Sequence, residues 1–144
     1  KNKTEQTAKL EAARTVLQEA MRLNDKFPAT YLNLGMVEAD LGNNKTAIDL
    51  LKRATELRKD WIPALNELGN AYYRNNEFEN AAKQYKRVLD QDENFPAAIF
   101  GLGMTEYNRK NLGEAKKAYQ KLIKIKRNDL ALRMLAETKG AVKN

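Results

Sequence analysis

The sequence contains no cysteine and no histidine. The first absence excludes disulfides, thiolate nucleophiles and thiolate metal ligands. The second removes the only side chain whose ordinary pKa lies near neutrality, along with a common zinc ligand. Proline is scarce, with 3 residues, and glycine modest, with 7, in a chain of 144. So few backbone breakers leave long stretches free to form helix. No apolar run approaches the roughly 18 residues that would span a bilayer, and no charged-then-apolar leader opens the chain. There is no P-loop, no GxGxxG glycine loop, no metal-ligand cluster and no nucleophile–base set. The sequence therefore offers no catalytic residue, no metal site and no cofactor, and it reads as a binding protein rather than an enzyme. No compartment is indicated.

What is present points to helices around a core. Apolar residues make up 42% and charged residues 31%, and a compact chain of this size buries roughly 70% of its unfolded surface. Alanine, leucine, lysine, glutamate and asparagine dominate, a helix-leaning set. The net charge of +7 is unevenly placed. Residues 1–108 are close to neutral, whereas residues 109–144 hold 11 Lys and Arg against 3 Asp and Glu.

A 34-residue period runs through the chain. Leu34-Gly35, Leu68-Gly69 and Leu102-Gly103 recur at that spacing, as do Ala47, Ala81 and Ala115. Leu51, Tyr85 and Tyr119 follow it, and so do Ala54, Val88 and Leu122, and Phe27, Trp61 and Phe95. Each unit reads as two helices. In the middle unit Leu65, Leu68, Gly69 and Tyr72 share one helical face, and Phe78, Ala81, Tyr85 and Val88 share another. Asn75-Asn76 breaks the pattern between them, because asparagine tolerates the left-handed conformation that ends helices. Pro28, Pro63 and Pro96 sit in the first turn of each first helix, where a missing N–H is harmless. Gly69 and Ala81 are expected to face each other, letting the two backbones approach closely. The Asp92-Glu93 pair falls in a turn between units and reads as a cap.

This set of residues resembles the tetratricopeptide repeat, whose signature is W-x2-L-G-x2-Y followed by A-x3-F and P. The middle unit matches as Leu65, Leu68, Gly69 and Tyr72, then Ala81 and Tyr85. The first unit has Tyr31, Leu34, Gly35, Ala47 and Leu51, and the third Ile99, Leu102, Gly103, Ala115 and Tyr119. Glu38 and Glu106 replace the signature tyrosine, and the late proline is missing from all three. The resemblance implies an all-α fold, a right-handed α-solenoid with full repeats at 28–61, 62–95 and 96–128. Half-repeats flank them. Residues 5–24 read as the second helix of a preceding repeat, with Ala13, Leu17 and Ala20 one period before Ala47, Leu51 and Ala54. Residues 129–141 read as a terminal helix, a first helix with no second, in which Leu132, Leu135 and Ala136 match Ile99, Leu102 and Gly103 if the loop is one residue shorter. The alternative is a terminal capping helix, with Arg133, Glu137 and Lys139 facing water. Opening on a half-repeat, the sequence reads as part of a longer array.

The resemblance also implies a curved ribbon with first helices on its concave face, which makes a protein or peptide the expected partner. At about 100° per residue, Leu32, Asn33, Met36 and Asp40 point away from the packing stripe in the first repeat. Asn66, Glu67, Asn70, Tyr73 and Arg74 do so in the second, and Phe100, Gly101, Met104, Tyr107 and Asn108 in the third. Leu32, Asn33, Met36, Asn66, Asn70, Tyr73, Phe100, Met104 and Tyr107 are the candidate groove residues. Methionine adapts to varied side chains, and asparagine can donate to and accept from a peptide backbone. Asn66 and Asn70, one turn apart, are the preferred backbone contacts. A blander reading has Leu32, Phe100 and Tyr107 padding the contacts between repeats. Relatives that hold a chaperone's acidic tail use a clamp of Lys, Asn and Arg; the matching positions here are Leu32, Met36, Glu67, Ala97 and Gly101, so that specialisation is not expected.

The basic quarter is the alternative. Lys117, Lys121 and Lys124 lie opposite Ala115 and Tyr119 on their helix. With Arg109, Lys110, Lys116, Lys126 and Arg127 they form a positive patch that suits an acidic protein or, with weaker support, an anionic membrane surface. Nucleic acid is disfavoured, because single-strand binding interleaves charge with stacking aromatics and the only aromatic after residue 108 is Tyr119, expected in the core. A solvated outer face is the plain reading of this patch. Self-association through the apolar array ends is a third possibility.

Overall fold

The computed structural model describes residues 2–143, which form eight α-helices and no strand. These are α1 (Asn2–Leu23), α2 (Pro28–Asp40), α3 (Asn44–Leu57), α4 (Ile62–Arg74), α5 (Phe78–Gln91), α6 (Pro96–Asn108), α7 (Leu112–Lys124) and α8 (Asn128–Glu137). None is long and apolar enough to cross a membrane.

Two kinds of turn alternate. Between α2 and α3, α4 and α5, and α6 and α7, the chain reverses in three residues. Gly42, Asn76 and Lys110 take the left-handed conformation there, at φ 86°, 61° and 67°. The N–H of the next residue then donates to a carbonyl five residues back: Asn43 to Glu38, Glu77 to Tyr72 and Asn111 to Glu106, at 2.8–2.9 Å. This is the hydrogen-bonded helix stop in which a left-handed residue satisfies carbonyls that the helix leaves free. The other turns, at residues 24–27, 58–61 and 92–95, are one residue longer. Asn24 and Asp92 accept the N–H two residues on at 3.0 Å, so the Asp92 carboxylate shapes a turn. Phe27, Trp61 and Phe95 then lead into the next helix in extended conformation, with proline in its first turn.

Contacts between helices define the curvature. Each helix packs on its sequence neighbours, with α2 on α3, α4 on α5 and α6 on α7 the most intimate pairs. Beyond these, α2 touches α4, α4 touches α6 and α6 touches α8, whereas no two of α1, α3, α5 and α7 approach each other. The even-numbered helices are therefore the crowded inner layer and the odd-numbered ones the splayed outer layer. The array curves into a helical solenoid with its concave face on the even side.

Three apolar clusters follow one another along this ribbon. The first joins Tyr31, Leu51, Ala54 and Leu68, the second Leu65, Ala81, Tyr85 and Val88, and the third Ile99, Leu122, Ala131, Met134 and Val142. Glu38 and Glu106, at the signature tyrosine position, are buried. Asn43 Nδ2 donates to Glu38 at 2.7 Å, and Asn111 Nδ2 and Arg109 Nη1 donate to Glu106 at 2.6 and 2.9 Å. These bonds brace the corner between the paired helices, as a buried carboxylate requires.

Gly69 meets the Tyr85 ring: a Cβ on Gly69 would lie 2.8 Å from Tyr85 Cε1, so glycine is needed at this position to admit the ring. One expectation is corrected here, and it concerns the last helix. Leu132 is 65% exposed, whereas Ala131, Met134 and Thr138 are buried. The register is displaced because α7 joins α8 by the shorter kind of turn. Lys126 is left-handed at φ 60° and Arg127 N–H donates to the Leu122 carbonyl at 2.8 Å. The last connection thus imitates a turn within a repeat, and the next inner helix starts two residues early. The helix also stops at Glu137 rather than 141. Residues 138–143 turn back through Gly140, at φ 82°, and bury Val142.

Candidate functional site

The inner layer holds a cavity of about 420 Å³ between α4, α6 and α8. Its apolar wall is Ala97, Phe100, Met104 and Leu130, with Tyr73 and Tyr85 beside them. Its polar groups are Asn70, Arg74, Arg127, Arg133 and Glu137.

Tyr85 reaches this cavity from the outer layer. Its ring passes between α4 and α6 because both helices carry glycine at the crossing: a Cβ on Gly69 or on Gly101 would lie 2.8 or 2.6 Å from Tyr85 Cε1. Its hydroxyl donates to Asn70 Oδ1 at 2.7 Å. Burial pushes the phenol's pKa up, so it stays protonated and remains a donor. Asn70 Nδ2 in turn donates to Glu67 at 3.2 Å. Tyr73 is half-buried, packs edge-on against Phe78 with ring centres 5.5 Å apart, and accepts from Asn108 Nδ2 at 3.1 Å.

The three arginines come from three places. Arg74 ends α4, with Nη1 3.6 Å from Asp40. Arg127 precedes α8 and grips Asp129 through Nε and Nη2 at 2.9 and 2.8 Å. That bond holds the Asp129 carboxyl down to about 2. Arg133 lies 4.7 Å above the Phe100 ring centre, a cation–π distance, and donates through Nε to Glu137 at 2.6 Å.

The expected groove residues divide on burial. Asn70, Tyr73, Phe100 and Met104 line the cavity. Asn33 and Met36 are exposed on α2, and Tyr107 is half-buried against the third cluster. Leu32, Asn66 and Met104, read from the helical wheel as pointing away from the packing, are instead 8%, 8% and 5% exposed. The wheel treats each helix alone, whereas here neighbouring inner helices cover the flanks of α2, α4 and α6. Asn66 is an unusual occupant of such a flank, because its buried Oδ1 has no hydrogen-bond partner. Leu32 belongs to the first cluster.

Ala97, Arg127, Leu130, Arg133 and Glu137 were not among the expected groove residues. Arg133 and Glu137 do face water, with side chains 63% and 39% exposed, and they border the open cavity as well. The reading of 129–141 as a first helix already placed it in the inner layer, and only the short turn before it shifts its register.

Several of the basic residues already have acidic partners. Lys110, Lys117 and Lys124 are exposed. Lys117 Nζ bonds Glu114 at 2.7 Å, Lys121 is partly buried with Nζ 3.9 Å from Glu93, and Arg109 is spent on buried Glu106.

Comparison with known proteins agrees with this architecture. Two family models described as tetratricopeptide repeat match residues 26–94 and 66–129, together most of the chain. The chain belongs to the tetratricopeptide-repeat family. No curated protein matches it in sequence. Among solved structures, this tetratricopeptide-repeat chain is similar to crystallised MamA, with a TM-score of 0.79 at 20% identity over 98% of this chain and 93% of that one. It is also similar to the Sgt2 repeat domain from Aspergillus fumigatus, with a TM-score of 0.73 at 24% identity over 81% of this chain and 79% of that one. Both show the fold. YrrB, described as a tetratricopeptide-repeat protein with an unusual peptide-binding site, aligns with a TM-score of 0.81 at 25% identity, over 88% of this chain and 66% of that one.

Proposed function

We propose that this protein-interaction scaffold binds a peptide segment of a partner protein in the cavity between α4, α6 and α8. The observation that carries the reading is the cavity itself: a concave space of about 420 Å³ with an apolar wall beside convergent polar groups, the general form of a binding site. The peptide-binding site named for YrrB supports a groove role for an array of this shape. Phe100 and Met104 supply the apolar contact, and Asn70 and Tyr73 supply hydrogen bonds. The test is selection of displayed random peptides against the chain, followed by fluorescence anisotropy of the selected sequences. Phe100→Ala should weaken binding by about tenfold or more, the loss expected for an aromatic anchor. Equal affinity for both proteins would refute the reading.

Docking through the basic C-terminal quarter has less support, because Glu114 and Glu93 already sit by two of its lysines. Self-association has one favourable feature: Val16 and Leu23 on α1 are 68% and 72% exposed.

A further inference from the structure

Helix α1 takes no part in the cavity. Among the described residues it packs on α2 alone, whereas α3, one period later, packs on both α2 and α4. The difference shows position by position. Ala47, Leu51 and Ala54 on α3 are 0%, 1% and 0% exposed, while Ala13, Leu17 and Ala20, 34 residues earlier, are only half-buried. Leu50, Leu57 and Trp61 pack against the first cluster, while Val16, Leu23 and Phe27 at the same places of the period are 68%, 72% and 56% exposed. What α3 has and α1 lacks is an inner helix before it, the most intimate partner of each of α3, α5 and α7. That seat is filled each time by a helix carrying Leu-Gly. The glycine is required there: a Cβ on Gly35 would lie 2.7 Å from Leu51 Cγ, and one on Gly103 2.7 Å from Ala118 Cβ.

We infer that α1 is a docking surface for an amphipathic helix of another polypeptide, one that carries a large apolar residue followed three residues on by Leu-Gly, and that this helix lies on α1 as α2 lies on α3. No helix of the described residues is free to take the seat. Helices α2, α4 and α6 are already paired with α3, α5 and α7, and α8 turns Ala131 and Met134 to the third cluster. A second copy's matching face is its own α1, which has no glycine to cross Leu17 as Gly35 crosses Leu51. The incoming helix completes a repeat of which α1 is the second half. Its glycine crosses Leu17, and its apolar stripe covers Val16, Leu23 and Phe27, the manner in which amphipathic helices dock in apolar grooves. Each carboxylate of α1 is already paired on the same helix, Glu5 with Lys9, Glu11 with Arg14 and Glu19 with Arg22. Shape and apolar area therefore select the occupant, rather than charge. The surface is separate from the peptide groove and does not rest on it.

The probe is a fluorescein-labelled peptide with the sequence of residues 60–76, acetylated and amidated at its ends, which carries Leu65, Leu68 and Gly69. Anisotropy is read on the whole chain. A lone helix of this length is marginal in water, so binding should be weak but saturable. The double variant Val16→Glu/Leu23→Glu should weaken it by about tenfold or more, as the loss of two apolar anchors implies. Both side chains are exposed, so circular dichroism should show an unchanged fold. The same peptide with Gly69→Leu should bind the unaltered chain about tenfold or more weaker. Phe100→Ala in the cavity should leave binding unchanged, and so should high salt. Amide hydrogen exchange should slow in α1 and not in α8. Absence of binding, equal binding by the α1 variant, equal binding of the Gly69→Leu peptide, or dependence on Phe100 would each overturn the inference. So would a dimer of the chain alone that the α1 variant abolishes, because a second copy would then cover the face.

Discussion

The first and last helices of this chain are held differently. Helix α1 is the longest, at 22 residues, and none of its residues is buried. It touches α2 alone, and Val16 and Leu23 stay mostly exposed. Helix α8 is the shortest, at 10 residues, yet it packs on both α6 and α7. It buries Ala131 and Met134, and the turn beyond it buries Thr138 and Val142. A helix in a repeat array is therefore secured by how many neighbours cover it, not by its length. The C-terminal helix has an inner and an outer neighbour and a returning tail; α1 has one partner.

The sharpest test of this difference compares matched truncations. Met134 is fully buried and its side chain lies against Gly103. Met134→Ala should cost about 2–5 kcal/mol of unfolding free energy. Leu17→Ala, at a half-buried position of α1, should cost about 1 kcal/mol or less. Equal shifts in the denaturant midpoint would break the comparison. The interior gives an intermediate standard. Gly69→Leu forces a side chain into the space of the Tyr85 ring and should cost about 1–3 kcal/mol. An unchanged melting midpoint would show that the ring does not fill that gap.

The smallest effect concerns pH. Bonding to Arg127 holds Asp129 at about 2 in the folded chain, below its ordinary 3.8. A depressed carboxyl contributes stability that is complete above its unfolded value and fades as pH falls toward the folded one. The attachment of α8 should therefore weaken slightly between about pH 4 and 2; α1 has its own lowered carboxyl, Glu19 bonded by Arg22 at 2.9 and 2.7 Å, and its response to acid should not depend on Asp129. Methyl NMR signals of Met134 and Met21 follow the two ends. Asp129→Asn should abolish the step at Met134, and persistence of the step would contradict the assignment.

Most of the fold was legible because the period is strict. Leu-Gly and Ala recurring every 34 residues locate the inner and outer helices of three repeats, and Asn75-Asn76 marks a turn. The last helix was misread because its register depends on a turn. Lys126 takes a left-handed conformation that composition does not advertise for lysine, and two residues vanish from the spacing. The candidate site was half legible. Asn70, Tyr73, Phe100 and Met104 follow from the helical wheel, while Arg127 and Arg133 depend on that turn. Tyr85 was read correctly as an inward residue of α5, but its reach to the concave face depends on a second helix.

By itself the sequence determined the repeat, the two-helix unit and the absence of cysteine and histidine chemistry, since these rest on composition and local periodicity. Tertiary structure alone decided which flanks of the inner helices are covered, since that requires the neighbouring helix. It buried Leu32 and Asn66 by setting other helices beside them. It also brought three arginines distant in sequence to one cavity and passed Tyr85 between two glycines to Asn70. Those arrangements depend on the stacking of whole helices, which no single helix encodes.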